Sequence, residues 1–247
     1  MLVIAHRGNN REAPENSREA FQKSVNCGAH RIEMDLQWTR DQKIVIFHDD
    51  SLKRIAGRDQ KISGTDWKTL QKEITLPNGE SIPDLEVVLE LFLPKIELNL
   101  EIKGRPSEEK ICELIRLVKN HQESDKIIFS SFFPEPLERL HALAPELKRA
   151  VLWGKDTLKV NPSLFFNPEK FMNRCHSSIF HPEAGMISAR LMNLAQLHSW
   201  KVFPWVPMAG EIPGQKESLW NKLKQHGVDG LCTNDPTAFG QWLENNK

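Results

Sequence analysis

The chain has 247 residues, and 39% of them are hydrophobic, which is enough to build a sizeable core in one large domain or two small ones. Its 33 basic and 33 acidic residues cancel, so no global field would attract nucleic acid or an anionic membrane. No apolar run is long enough to span a bilayer, and the first residues do not have the pattern of a signal peptide. The four cysteines lack metal-binding or redox spacing, which predicts reduced thiols in a cytoplasmic protein.

Predicted strands and helices alternate along the chain. Residues 2–5 form a short apolar strand. A helix is expected over about 17–27, with Asn16 as its N-cap, Glu19 completing a capping box and Gly28 at its end. Further strands are predicted at 31–37, 43–47, 96–102, 126–130, 148–152, 177–180, 201–205 and 229–233. Further helices are predicted at about 85–93, 107–121, 135–143, 188–198, 216–226 and 236–244.

Two stretches interrupt this alternation. Residues 51–84 are polar, contain several glycines and prolines, and show only a short helical pattern, which predicts a small insertion over one end of the fold. Residues 153–175 have no clear pattern and no predicted role in a pocket. Roughly eight strand–helix units favour an α/β fold of the (β/α)8 TIM-barrel type, with 1–247 as one domain. An open doubly wound sheet is disfavoured, because it would carry a glycine-rich phosphate turn after the first strand.

Two predicted strands carry ionisable side chains on one face. A period of two places Glu33 and Asp35 on the polar face of one strand, and Asn99, Glu101 and Lys103 together on another. If the strands face each other, three carboxylates meet and their repulsion calls for a cation. Oxygen ligands without cysteine or clustered histidine favour one Mg²⁺ or Ca²⁺ over Zn²⁺. Losing Glu33 or Asp35 is expected to abolish turnover and to leave the fold largely intact, because it relieves this repulsion.

The ends of the predicted strands carry further candidates, which matters because barrel active sites lie at the C-terminal strand ends. His6 and His48 suit an acid–base pair beside a cation. Arg7 and Lys103 suit a phosphate, although salt bridges to the nearby carboxylates explain each of them equally well. Trp205 is either a substrate contact or a core residue.

Two further strand-end groups have open interpretations. Asp49 either belongs to the shell of a bound ion, orients His48, or forms a turn. Asn234, Asp235 and Pro236 are expected to cap the last helix, with Pro236 near its first turn.

An ordered set of motifs runs from residue 6 to residue 236 and resembles the glycerophosphodiester phosphodiesterases. The motifs are His6-Arg7-Gly8, Pro14-Glu15-Asn16-Ser17, Glu33-x-Asp35 with Thr39-x-Asp41, His48-Asp49, Glu101-x-Lys103, Gly227-Val228-Asp229-Gly230 and Thr233-Asn234-Asp235-Pro236. The resemblance implies a β/α barrel with a small insertion after the His-Asp motif. It also implies hydrolysis of small glycerophosphodiesters to glycerol 3-phosphate and an alcohol, usually with Mg²⁺ or Ca²⁺.

The resemblance also implies roles for individual residues. The acid–base pair would be His6 and His48, and Arg7 and Lys103 would contact the phosphate. The metal ligands would be Glu33, Asp35 and Glu101. The chain departs from the family where a late strand commonly reads Trp-Thr-x-Asn, because here it reads Trp205-Val206-Pro207-Met208. That change makes glycerol recognition doubtful at this position.

Two other functions compete with this one. A lysophospholipase D acting on lipid substrates would be favoured by an exposed apolar rim formed by Trp153, Phe165, Phe166 and Phe171. Packing in the core and in loops is the preferred interpretation of these four residues. A non-catalytic phosphodiester-binding barrel would be favoured if an essential group were missing, and none is. The oligomeric state has no signal in the sequence.

Overall fold

A nearly closed barrel of eight parallel strands forms the centre of the protein, in a computed structural model that describes residues 1–208, 210 and 214–246. The described strands are β1 Leu2–Ala5, β2 Arg31–Trp38, β3 Ile44–Ile46, β4 Glu97–Ile102, β5 Ile127–Ser131, β6 Lys148–Trp153, β7 Ile179–Pro182, β8 Lys201–Val202 and β9 Gly230–Thr233. The parallel strands follow the order β8-β7-β6-β5-β4-β2-β1-β9, and β3 pairs with β2 in the antiparallel sense. A parallel bridge between Trp205 and Cys232 joins the two ends. The predicted TIM barrel is confirmed, and the open sheet is wrong.

Helices connect consecutive barrel strands. The described α-helices are α1 Arg18–Asn26, α2 Lys53–Ala56, α3 Trp67–Glu73, α4 Leu85–Phe92, α5 Glu108–Lys119, α6 Pro134–Leu143, α7 Lys155–Val160, α8 Pro162–Phe165, α9 Pro168–Arg174, α10 Ala189–Leu197, α11 Lys216–Gln225 and α12 Pro236–Asn245. The stretch without a clear pattern contains three of them, α7 to α9. Two of these begin at a proline, whose fixed φ suits the first helical position. Among the described residues, none of the helices combines the length and apolarity needed to cross a membrane.

The cap of α1 differs from the prediction. Ser17, not Asn16, caps α1, and its side chain accepts a hydrogen bond from the backbone N–H of Ala20. Asn16 instead adopts a left-handed conformation, with φ of 57°. Its amide donates to the Asp35 carboxylate over 2.7 Å. Asp35 is therefore tied to the loop before α1 as well as to its own strand.

The predicted strand 201–205 forms a regular ladder only at Lys201–Val202. Pro182 of β7 and Pro204 have no N–H to donate, so the regular ladder ends there. Hydrogen bonds to β7 nevertheless continue, because the N–H groups of Phe203 and Trp205 donate to the carbonyls of Phe180 and Pro182 over 2.9 Å each. Trp205 is thereby fixed at the end of the barrel even though it lies outside the regular strand.

The segment 51–84 has a small apolar cluster of its own, separate from the main core. The cluster contains Leu52, Ile62, Leu70, Ile74, Leu76 and Ile82 from this segment, together with Val45 and Phe47 from the chain around β3. Burial of these side chains anchors the segment against β3. Since β3 leads directly into His48, the segment lies beside one of the candidate catalytic residues.

Candidate active site

Three carboxylates converge at the C-terminal end of the barrel. Glu33 and Asp35 point inward from β2, and the β2–β4 register places Asp35 opposite Glu101. One oxygen from each carboxylate lies within 4.8 Å of the others, and all three residues are buried. Oε1 of Glu33 is buried without a hydrogen-bond partner among the described residues, which fits an oxygen that faces a ligand. The predicted convergence is confirmed.

Two cations lie against this cluster. Nζ of Lys103 is 2.8 Å from Oδ1 of Asp35 and 2.5 Å from Oε1 of Glu101. Nε of Arg7 is 3.3 Å from Oδ2 of Asp35. Asp35 therefore lies between both cations, whereas neither of them forms an ion pair with the side chain of Glu33 in the described contacts.

This arrangement moves the pKa values of the carboxyl groups in opposite directions. Burial raises the pKa of Glu33, and the charges of Asp35 and Glu101 raise it further. Burial also raises the pKa of Glu101. Burial would raise the pKa of Asp35 too, but Lys103 and Arg7 outweigh it and lower this pKa. The surroundings thus favour the ionised form of Asp35 most strongly, and additional positive charge would favour ionisation of Glu33 and Glu101.

Arg7 is held by a tight turn after β1. It has a left-handed φ of 56°, and its backbone N–H donates to Oε2 of Glu33 over 2.9 Å. Gly8 follows with a φ of 80°, and a Cβ there would lie 2.8 Å from the Cβ of Ala20. Only glycine fits this position. The guanidinium of Arg7 donates from Nη1 to Oε1 of Glu15 over 2.8 Å.

His6 lies at the end of β1 with both ring nitrogens directed into the site. Its Nδ1 is 2.8 Å from Oδ1 of Asn234, and its Nε2 is 4.0 Å from Oε2 of Glu33. Burial, assisted by the charge of Arg7, lowers the pKa of His6 to about 3, so its imidazole is neutral at pH 7. The predicted cap of the last helix is confirmed, because Asp235 accepts from the N–H of Ala238 and Pro236 is the first helical residue. The neighbouring Asn234 orients His6.

His48 follows β3 and is oriented by its neighbour. Its Nδ1 is 2.6 Å from Oδ1 of Asp49, so of the three interpretations of Asp49 the structure supports orientation of His48. The amide of Gln37 donates to the carbonyls of His48 and Asp49 over 3.0 and 2.6 Å and fixes this turn. Arg54, from the insertion, donates to both Asp49 oxygens. Gln37 shares the polar face of β2, which the period of two could have indicated, whereas Arg54 carried no signal.

A cavity of about 250 Å³ joins these groups. It is lined by seven candidate residues, namely His6, Arg7, Glu33, His48, Glu101, Lys103 and Trp205, and Asp35 lies behind them. Trp205 is half-buried and packs edge-to-face on Phe132 at a centroid distance of 5.7 Å. Asp156, Lys159 and Val160 of α7 complete the wall, so the stretch without a sequence pattern does contribute to the pocket.

The aromatic residues proposed as an apolar rim lie elsewhere. Phe171 is fully buried, and Trp153 stacks on Phe165 at a centroid distance of 5.2 Å. Phe166 is 78% exposed. Trp153, Phe165 and Phe166 line a separate groove with Leu191 and Leu197 of α10 and its C-terminal end. The apolar rim that would favour a lipid substrate is therefore not formed by these residues at the catalytic cavity.

Comparison with known proteins adds independent information. The model of the "Glycerophosphoryl diester phosphodiesterase family" matches residues 6–238. A glycerophosphodiester phosphodiesterase of Caldanaerobacter subterraneus subsp. tengcongensis is 30% identical over 249 aligned positions, which cover 96% of each chain. The structure of an Oleispira antarctica phosphodiesterase in complex with the product sn-glycerol-3-phosphate has a TM-score of 0.84 and 26% identity, covering 99% of this chain and 97% of that one. A human lysophospholipase D is 29% identical over 95% of this chain and 76% of its own length.

Proposed function

Since the chain belongs to the glycerophosphoryl diester phosphodiesterase family, we propose that it hydrolyses small glycerophosphodiesters to glycerol 3-phosphate and an alcohol. The observation that carries this proposal is one cavity that joins Arg7, Lys103 and the two histidines to the cluster of three carboxylates. The family resemblance and the prediction of a phosphodiesterase are confirmed. The substrate, the metal and the residue roles below are the parts that we propose.

We assign one divalent cation, Mg²⁺ or Ca²⁺, to the oxygens of Glu33, Asp35 and Glu101. All three ligands are carboxylates, which such hard cations prefer. The unpartnered Oε1 of Glu33 and the raised pKa values of Glu33 and Glu101 support this assignment, because each points to missing positive charge. When bound, the cation would stabilise negative charge on the phosphoryl oxygens.

Two histidines in different environments support an acid–base pair. In His6, Nδ1 faces the carbonyl oxygen of the Asn234 amide and therefore carries the proton, which leaves the lone pair on Nε2. His6 is neutral at pH 7 and so acts as the base. In His48, the Asp49 carboxylate accepts from Nδ1, which leaves Nε2 for proton exchange with the substrate. We therefore assign His48 as the acid.

His6 takes a proton from the attacking oxygen, which forms the new P–O bond. The bond from phosphorus to the headgroup oxygen breaks, and His48 gives its proton to the leaving alkoxide. Arg7 and Lys103 hold the phosphate, and their existing contacts to Asp35 fix them beside it. The attacking oxygen belongs either to water or to the glycerol of the substrate, in which case a cyclic phosphate forms first.

Trp205 and the groups around it form the substrate side of the cavity. Trp205, Phe132 and Leu152 provide an apolar wall against which a short carbon chain packs. Pro207 and Met208 line the mouth, where the family carries polar residues, so we assign no glycerol contact to them. Lys155, Asp156, Lys159 and Glu183 surround the same opening with both signs of charge and would face the headgroup.

Metal-dependent release of glycerol 3-phosphate is the expected result that tests this function. We expect protein treated with a chelator to be inactive and to regain turnover when Mg²⁺ or Ca²⁺ is titrated back. Glycerophosphocholine, glycerophosphoethanolamine and glycerophosphoglycerol form the substrate panel, and glycerol 3-phosphate is measured enzymatically. No release from any of them would reject the proposed function. Release that persists in the chelator would reject the metal assignment alone.

A lysophospholipase D activity is the second candidate, favoured by the exposed Phe166 and by the similarity to a human enzyme of that name. The apolar groove lies outside the catalytic cavity, so we expect glycerophosphocholine to be hydrolysed faster than lysophosphatidylcholine at equal concentration. Phe166→Ser should leave both rates unchanged. Faster turnover of the lysolipid, with a selective loss in Phe166→Ser, would reverse the order of the two candidates.

We also propose that residues 1–247 form one domain, with about 51–84 as an insertion. The packing of that segment against Val45 and Phe47 supports this organisation. Reduced cysteines and the cytoplasmic location stay predictions. The expected partner is a small glycerophosphodiester and not a nucleic acid.

A further inference from the structure

Arg54 connects the insertion to both sides of the catalytic cavity. It lies on α2, the first helix of the insertion, and its guanidinium contacts two carboxylates at once. Nη1 and Nη2 donate to the two oxygens of Glu15, each over 2.8 Å. Nε and Nη2 donate to the two oxygens of Asp49 over 2.6 and 3.0 Å. We call Glu15, Asp49 and Arg54 the Arg54 bridge.

One side of the bridge leads to the phosphate-binding group. Glu15 is bonded to Arg54 through both oxygens, and its Oε1 also accepts from Nη1 of Arg7 over 2.8 Å. The side chain of Glu15 is only 8% exposed, so its carboxylate has little freedom to move. Arg54 therefore fixes the carboxylate that orients the Arg7 guanidinium.

The other side of the bridge leads to the proposed acid. Asp49 accepts from Nδ1 of His48 with the same Oδ1 that accepts from Nη2 of Arg54. The direction of the His48 ring thus depends on an aspartate whose position is fixed by the insertion. Without the guanidinium, Glu15 would keep Arg7 and Asp49 would keep His48, but the two carboxylates would lose the cation that they share, and their mutual repulsion would favour a larger separation.

The position of Arg54 is fixed by the packing of the insertion. Leu52, which precedes α2, is fully buried in the apolar cluster of the insertion. The planar guanidinium matches two carboxylates in a way that a lysine cannot, because it donates several hydrogen bonds in a fixed plane. An isolated exposed ion pair adds little stability, but this one lies between two groups of the active site.

We propose that Arg54 is a positioning residue, through which the insertion aligns Arg7 for phosphate binding and His48 for proton transfer. This inference rests on the proposed function, because it assigns a reason for the insertion within that same reaction. It predicts two separable effects. Loss of the Arg7 side weakens binding of the phosphate group, and loss of the His48 side slows turnover.

The test compares Arg54→Met with a matched control, Arg40→Met. Arg40 also joins the barrel to the insertion, through a bidentate contact with Asp66. In the described contacts, Asp66 does not bond to any of the proposed active-site residues. We expect Arg54→Met to lower kcat by about 100-fold, the scale on which small misplacements act, and to weaken binding of sn-glycerol 3-phosphate measured by calorimetry. Arg40→Met should change neither quantity. Thermal unfolding of both variants reports any general loss of stability.

Variants of Glu15 and of Asp49 separate the two effects. Glu15→Gln should mainly weaken glycerol 3-phosphate binding, and Asp49→Asn should mainly lower kcat. In the double variant Glu15→Gln, Asp49→Asn, adding Arg54→Met should lower kcat and the affinity for sn-glycerol 3-phosphate by less than about 3-fold each. The effects of residues that act through one another are not additive. The inference would be overturned if Arg54→Met lowered kcat in the double variant as much as it does alone. It would also be overturned if Arg54→Met alone had the kinetics of the unmodified protein. Absence of turnover in the unmodified protein would instead reject the proposed function.

Discussion

Replacing Asp35 with asparagine is expected to abolish turnover and to destabilise the metal-free protein. Asp35 is 1% exposed and accepts hydrogen bonds or ion-pair contacts from Asn16, Lys103 and Arg7. Its loss removes a buried carboxylate partner from both Arg7 and Lys103. Removing one partner of a buried ion pair costs about 3–5 kcal/mol, so we expect a loss of that size in the free energy of unfolding. The sequence alone suggested that Asp35 could be lost with the fold largely intact, and its contacts indicate otherwise.

The matched variant Glu33→Gln is expected to abolish turnover with little effect on stability. The glutamine oxygen can still accept from the backbone N–H of Arg7, and the repulsion from Asp35 and Glu101 is removed. We expect the metal-free free energy of unfolding to stay within about 1 kcal/mol of the unmodified protein or to rise. Urea unfolding in the presence of a chelator measures both variants.

The pH dependence of the same measurement has a defined sign. Folding raises the pKa of Glu33 above its ordinary value of 4.5. Between pH 4.5 and the folded pKa, the folded state therefore keeps this proton while the unfolded state has lost it. Stability of the metal-free protein should therefore fall as the pH rises from 4.5 through the folded pKa of Glu33. Glu33→Gln lacks this titrating group, so the difference between its free energy of unfolding and that of the unmodified protein should increase in favour of the variant over that range. Equal destabilisation by both variants would contradict the asymmetry between Glu33 and Asp35.

The second large effect is expected at the two histidines. His6→Ala and His48→Ala should each lower kcat by about 10²–10⁴-fold, the usual contribution of a positioned acid or base. The affinity for sn-glycerol 3-phosphate should change much less, because Arg7, Lys103 and the three carboxylates remain in place. Steady-state kinetics and calorimetry with the product give the two quantities.

His121→Ala is a suitable control for these variants. This histidine lies beyond the end of α5 and does not line the catalytic cavity. Unchanged turnover in both His6→Ala and His48→Ala would remove the basis for the acid–base assignment. That result would favour a non-catalytic phosphodiester-binding barrel, with the turnover due to a contaminating enzyme in the preparation.

The family and the composition of the site could be predicted from the sequence because they depend on local patterns. An alternation with a period of two places Glu33 and Asp35 on one face of a strand, wherever that strand lies in the fold. The repetition of short apolar strands and amphipathic helices indicated the barrel, and a barrel concentrates strand ends at one site. His6, His48, Glu101 and Lys103 were recognisable because each stands at such an end.

The tertiary structure decided which partners these residues have. Asn234 orients His6 from 228 positions away, a contact that depends on β1 lying beside β9. Arg54 reaches Glu15 and Asp49 only because the insertion packs on β3. The short helix α7 has no clear amphipathic period in the sequence, yet it forms part of the cavity wall. Sequence periodicity fixes the face from which a side chain projects, but contacts between distant segments depend on strand register and packing, which no local pattern specifies.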